Sequence, residues 1–285
     1  MNNRKAAIVF LLTIILIIVS GCSGHTMDNV DIHPPTQGLL HYLQKDQMAN
    51  VSDRGYKVSV KTSSAAVSSK NEAQLTLEVA DPSGVPVNSF TEDMTKLMHL
   101  IIVSSDLSSF SHVHPEYEGE GKFTVKFKFP SGGDYLLITE FMPGDKGLTV
   151  YKQWIKVEGD KPQAKKLTPD TDLERNIDGV NISLSMMPDA KEVRAGQMAM
   201  LDFRLTDAAT GKDIPLEPYL GTSGHCVILD SKAKQYLHVH AVSEMSRGSS
   251  VMFHTAFPTS GTYKVWGQFQ YRGKVIVVPF VITVQ

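Results

Sequence analysis

The chain of 285 residues has little of what would give its chemistry away. It has two cysteines, Cys22 and Cys226, which excludes a disulfide-stapled scaffold. It has no excess of one charge: 28 Lys and Arg stand against 30 Asp and Glu, a formal net of −2, so there is no basic footprint for nucleic acid. Long apolar runs are absent after the first twenty residues, which excludes a multi-span channel or transporter. No Gly-x-Ser-x-Gly elbow occurs, and no Gly-rich loop leads into the Lys-Ser of a phosphate cradle. Beyond the N-terminal region no segment carries three turns of amphipathic helix. Apolar residues, at 42%, and charged residues, at 20%, are ordinary in number and exclude wholesale disorder. The length suits two domains of roughly 100–150 residues.

The one long apolar run reads as a signal peptide over residues 1–21. Arg4 and Lys5 supply a positive start, and residues 6–19 form an apolar stretch broken by Thr13. It ends in Val19-Ser20-Gly21-Cys22, which resembles the lipobox of bacterial lipoproteins. That resemblance implies cleavage before Cys22, lipidation there and an extracytoplasmic, membrane-anchored protein. A plain signal peptide is the alternative. Residues 22–54, with His25, Met27, His33 and His41, read as a polar tether whose histidines are solvated spacers.

From Tyr56 onward, short apolar runs alternate with period two and are punctuated by turns such as Asp81-Pro-Ser-Gly and Ser131-Gly-Gly-Asp. A charged linker over 158–177 separates two such stretches, 55–157 and 178–285. The second repeats the first. Gln74-Leu-Thr-Leu-Glu-Val-Ala-Asp matches Met200-Leu-Asp-Phe-Arg-Leu-Thr-Asp, and Phe129-Pro-Ser-Gly-Gly-Asp-Tyr matches Phe257-Pro-Thr-Ser-Gly-Thr-Tyr. About seven strands per half predict an all-β protein of two tandem immunoglobulin-like β-sandwiches, with a small barrel as the alternative.

The duplication also covers histidines. His99, His112 and His114 are spaced by 13 and 2, and so are His225, His238 and His240. With residues 104–107 as a hairpin loop, His99 falls directly opposite His112, and His114 shares their face. The same register puts His225 opposite His238 with His240 beside it. Three imidazoles converging from one hairpin suit a copper or zinc ion, with a fourth position open, in each repeat. The competing reading makes them structural histidines at the edge of a core. Period two turns Met98 and Cys226 to the opposite face, so Cys226 is expected to be a buried thiol. Met198 and Met200 share one face and could offer two thioethers to Cu(I), but packing is the expected role. His254 stands where the first half has Lys126, so duplication gives it no ligand role. Glu116, Glu118 and Glu140 lie near the first triplet, and Glu140 corresponds to Gln268.

The segment Met98-His-Leu-Ile-Ile-Val-Ser-Ser-Asp-Leu-Ser-Ser-Phe-Ser-His-Val-His-Pro115, with the later Phe-Pro-x-x-Gly-x-Tyr pattern, resembles bacterial YtkA-like or FixH-like extracytoplasmic domains. Pro115 has no counterpart in the second half, where Ala241 stands. The resemblance implies small β-sandwiches involved in metal handling, copper in particular, with the six duplicated histidines as candidate ligands. The expected function is therefore a membrane-tethered metal-binding module, not an enzyme. A metal-free module that binds an envelope protein is the alternative, and a three-His zinc enzyme is a more distant one.

Overall fold

The computed structural model describes residues 52–63, 66–242, 246 and 248–285, without the side chains of His238 and His240. The signal segment, Cys22 and the tether histidines His25, His33 and His41 lie outside the described residues.

The described residues form strands and no helix. The first repeat contains β1 (Lys57–Thr62), β2 (Val67–Ser68), β3 (Ala73–Ala80), β4 (Phe90–Thr91), β5 (Met98–Ser104), β6 (Phe110–Val113), β7 (Glu116–Gly119), β8 (Lys122–Phe127), β9 (Gly133–Pro143) and β10 (Thr149–Glu158). The second contains β11 (Glu174–Ile177), β12 (Val180–Met187), β13 (Met198–Asp207), β14 (His225–Asp230), β15 (Tyr236–His240), β16 (Ser250–Ala256), β17 (Gly261–Tyr271) and β18 (Lys274–Val284). Strand β11 falls inside the stretch read as linker and pairs with β12.

Each repeat is a sandwich of two sheets. In the first, β1-β3-β8-β7 faces β2-β10-β9-β5-β6; in the second, β11-β12-β13-β16 faces β15-β14-β17-β18. The alternation in sequence explains the outer sheets. Leu75, Leu77 and Val79 of β3 point into the first core, while Ala199, Leu201, Phe203 and Leu205 of β13 point into the second. The turn after each Phe-Pro motif is closed alike: the Tyr135 hydroxyl donates to Ser131 O at 3.1 Å and the Tyr263 hydroxyl to Thr259 O at 2.9 Å.

Strands β5 and β14 are different, because they are buried on both faces. Met98, Leu100 and Ile102 enter the core of the first sandwich. Their neighbours Ile101 and Val103 join Leu107, Leu136, Ile138, Val227, Leu229, Ala233, Tyr236 and Trp266 in a third core that lies between the repeats. Phe110 stacks on Trp266 with ring centroids 4.8 Å apart. Lys264 reaches across to donate to Leu107 O at 2.6 Å, and Lys152 donates to Lys234 O at 2.6 Å. The two repeats thus share one compact unit.

The histidine hairpins are paired one step away from the expected register. Ile101, not His99, faces His112, and His225 faces His240, with Val227 opposite His238. The cause is the loop. Ser104 N donates to Ser109 O, so residues 105–108 form the turn, and the Asp106 carboxylate accepts from Ser104 Oγ and from both N and Oγ of Ser108. Leu107 takes the left-handed conformation at φ 58°, as Ala233 does at φ 53° in the second repeat. Moving the loop by one residue moves each partner by two, so the histidines stay on the face assigned to them.

Candidate metal centre

Along the outward face of β5, His99 continues the series Val103, Ile101 that builds the shared core, so it ends up at the margin of that core. It is almost fully buried, with 1% of its surface exposed. On the far side the equivalent residue, His225, is buried to the same degree. The two rings stack, with centroids 6.1 Å apart and planes at 21°. His112 lies 4.7 Å from both His114 and His225, measured between ring centroids. His99, His112 and His114 come together, and His225 joins them from the other repeat. The structure does not describe the side chains of His238 and His240, whose backbone places them on the neighbouring strand β15.

One ring of the cluster has its tautomer fixed by a main-chain partner. His99 Nε2–H donates to the main-chain oxygen of Asp93 at 2.9 Å, which leaves Nδ1 as the lone-pair atom of the neutral ring. His112 Nδ1 lies 3.1 Å from Gln268 Oε1, within hydrogen-bond distance. His99 Nδ1 and His112 Nε2 face each other at 3.0 Å, a separation that either a shared proton or a shared metal ion can bridge. Nitrogens bound at 2.0–2.1 Å to a tetrahedral ion are about 3.4 Å apart, close to this separation. One ligand atom from each of His99, His112 and His114 can be drawn from a set lying within 4.8 Å of one another. His114 Nε2 is buried with no hydrogen-bond partner. Burial, and then the neighbouring His112 and His99, push the His114 pKa down to about 3, so the ring is neutral and able to coordinate at ordinary pH.

Around the triad the repeats have diverged. Glu140 pairs with His99 across β5 and β9, while Gln268 occupies the same position beside His225 across β14 and β17. Both are buried. Gln268 Nε2–H donates to His225 Nδ1 at 3.1 Å, so this one amide fixes the ring of His112 and ties His225 to it. Burial and the adjacent Glu140 charge hold the Tyr236 hydroxyl well above its usual pKa. Of the other carboxylates named from sequence, Glu116 and Glu118 are exposed on β7 in the opposite sheet. Cys226 is buried, as expected, and burial pushes its thiol pKa up. Met198 departs from its expected packing role: it is 46% exposed.

Sequence reasoning missed Gln268 and the Asp93 carbonyl as orienting groups. Gln268 was visible only as the counterpart of Glu140, and the strand pairing that sets it beside His225 leaves no local sequence mark. No curated protein matches the chain in sequence. Solved structures with related shape include FdeC, an Escherichia coli adhesin, at 14% identity and TM-score 0.28, covering 83% of this chain and 66% of that one. The Yersinia pseudotuberculosis adhesin InvE follows at 10% and 0.25, covering 83% and 60%. Domains 4 and 5 of the S-layer protein SbsC reach 11% and 0.21, covering 78% and 96%. The chain thus spans just under two thirds of FdeC and less of InvE. A family described as a domain of unknown function, DUF8832, matches residues 49–159 and again 175–285. Those two matches take in most of the sequence, and the chain belongs to that family as a tandem pair of its domains.

Proposed function

We propose that this protein is an extracytoplasmic metal-handling lipoprotein, anchored through Cys22, that takes one Cu(II) or Zn(II) ion at the seam between its repeats. One observation carries the metal reading: His99 Nδ1 and His112 Nε2 approach to 3.0 Å, His99 held from behind by the Asp93 carbonyl and His112 by Gln268. His114 completes a three-imidazole set, and His225 stands behind it through Gln268. Imidazole ligation suits these two ions, and the affinity order favours Cu(II) where both are present. A fourth position left to solvent or a donor would serve delivery or sensing. The anchor rests on the lipobox-like Val19-Ser20-Gly21-Cys22, and kinship with YtkA-like or FixH-like domains is part of the same reading.

Native mass spectrometry of the full chain in detergent, titrated with Cu(II) and Zn(II), tests the reading. Uptake of one ion that is lost in the His112→Ala/His114→Ala variant, with the β-sheet circular dichroism unchanged, supports it. Equal uptake by the variant, or none by either protein, overturns it and favours a metal-free module that binds an envelope protein.

A further inference from the structure

The outer face of the second sandwich carries a feature that the seam does not use. On β12, β13 and β16, the residues that avoid the core form rows across the sheet. Met187 is paired with Met200, and Met200 with His254. Directly opposed residues of one face stand with Cβ atoms about 5 Å apart, so these three side chains form one continuous row. Met198 lies two residues from Met200 on the same face, and Met252, two residues from His254, flanks the other side. Met187 and Met198 are 59% and 46% exposed, while Met200, Met252 and His254 are half-buried. Elsewhere this face is polar: Ser183, Asp202, Arg204 and Ser250 occupy it, with Ser250 donating to Asp202 and Arg204 paired with Asp213.

The first repeat provides an internal control. Gln74 pairs with Lys126 on β3 and β8 as Met200 pairs with His254, and Ser63 N donates to Gln74 O where Met187 pairs with Met200. Glu72 and Thr124 stand at the positions of Met198 and Met252. The sandwich therefore accepts Ser, Gln, Lys, Glu and Thr at these positions, and its folding does not require four thioethers and an imidazole there. Exposed methionines contribute little to a core, but soft thioethers are ligands for monovalent copper.

We propose that Met187, Met200 and His254 form a surface site for Cu(I), with Met198 or Met252 as a further thioether donor. It is separate from the seam cluster, which offers imidazole alone. A chain with both sites would hold copper in either oxidation state, at the seam and on the outer sheet of the second repeat.

The test uses the full chain in detergent carrying His112→Ala and His114→Ala, so that the seam does not compete. Cu(I) is kept reduced under anaerobic ascorbate and titrated against bathocuproine disulfonate, with methionine methyls labelled with carbon-13. One equivalent is expected to move the Met187 and Met200 methyl signals. Met200→Leu, which keeps volume, and His254→Lys, the residue of the first repeat, are each expected to weaken binding at least tenfold. Methyl signals that do not move, or wild-type affinity in both variants, would overturn the proposal. Either result leaves Cu(II) and Zn(II) uptake by the unmodified seam as a separate question.

Discussion

Gln268 is the residue whose replacement is most informative, because it links two imidazoles of the seam cluster and is outside the proposed ligand set. Its Oε1 accepts from His112 and its Nε2 donates to His225, and it is buried. Gln268→Leu removes both bonds and leaves two imidazole nitrogens unsatisfied in a dry environment. Each such loss costs about 1–3 kcal/mol. Taking both near the low end gives about 2–4 kcal/mol, or a fall in Tm on the order of 5–10 °C for a unit of this size. The effect on metal binding is separate. Without the acceptor on Nδ1, the His112 ring loses an orienting partner, and outer partners of this kind are worth about 10–100-fold in affinity. Gln268→Glu divides the two roles, since a carboxylate still accepts from His112 but no longer donates to His225. It is expected to keep metal affinity within a few fold while losing part of the stability. Chelator competition with Zn(II) and thermal unfolding of the apo protein measure both. If Gln268→Leu binds Zn(II) within twofold of the parent, the orienting role of Gln268 is wrong.

Other outcomes follow from the same geometry. Trp266 is 2% exposed and stacked on Phe110 across the seam, so Trp266→Ala is expected to cost about 3–5 kcal/mol. Calorimetry should then show a single transition splitting into two; an unsplit transition at the parent Tm would mean that the repeats do not depend on each other. Asp106 is partly buried, which opposes ionisation, but the hydrogen bonds from Ser104 and Ser108 prevail and hold its carboxyl below the ordinary value. A lowered folded pKa means that its stabilising contribution is present above about pH 4 and is lost as pH falls through the folded value. Asp106→Ala should therefore destabilise the chain by about 1–2 kcal/mol at pH 7 and flatten the acid limb of the pH–stability curve, as urea unfolding between pH 2 and 7 would show. Cys22→Ser is expected to abolish incorporation of labelled palmitate and release the protein from the membrane fraction; unchanged labelling would refute lipidation at that residue.

The sandwiches were legible because their outer sheets alternate: Leu75, Leu77 and Val79 enter a core while Gln74, Thr76 and Glu78 do not. Cys226 was legible for the same reason. The hairpin register was not, because the residues in left-handed geometry are Leu107 and Ala233. A glycine there would have marked the turn; a leucine gave no signal. Period two nevertheless kept each histidine on its face. The seam was left open by the sequence reading although it left a trace. Leu100, Ile101, Ile102 and Val103 are apolar at every position, as are Val227, Ile228 and Leu229, and an unbroken apolar strand is buried on both sides. That pattern marks a partner packed against the outer face of each hairpin. Met198 was assigned to packing from composition alone, and only the pairing of β13 with β12 and β16 shows that its face is the outer one.

The seam explains why two copies yield one cluster. Ile101, Val103, Leu107, Phe110 and Ile138 of the first repeat meet the residues at the matching positions of the second: Val227, Leu229, Ala233, Tyr236 and Trp266. The same patch lies on both sides, as in an isologous dimer, and a residue near the axis of such an interface meets its own counterpart. His99 and His225 do so, ring against ring. Any histidine placed beside that axis before duplication would be brought against its copy afterwards, so a triplet on each repeat becomes a shared pool of imidazoles. The copies then diverged where it matters most. Glu140 supplies a buried carboxylate beside His99, and Gln268 supplies a neutral amide beside His225. Two carboxyl groups there would bury a second ionisable acid against the first, at a high desolvation cost. One of each sets a carboxyl group beside His99 and a neutral amide beside His225, where the amide also holds His112.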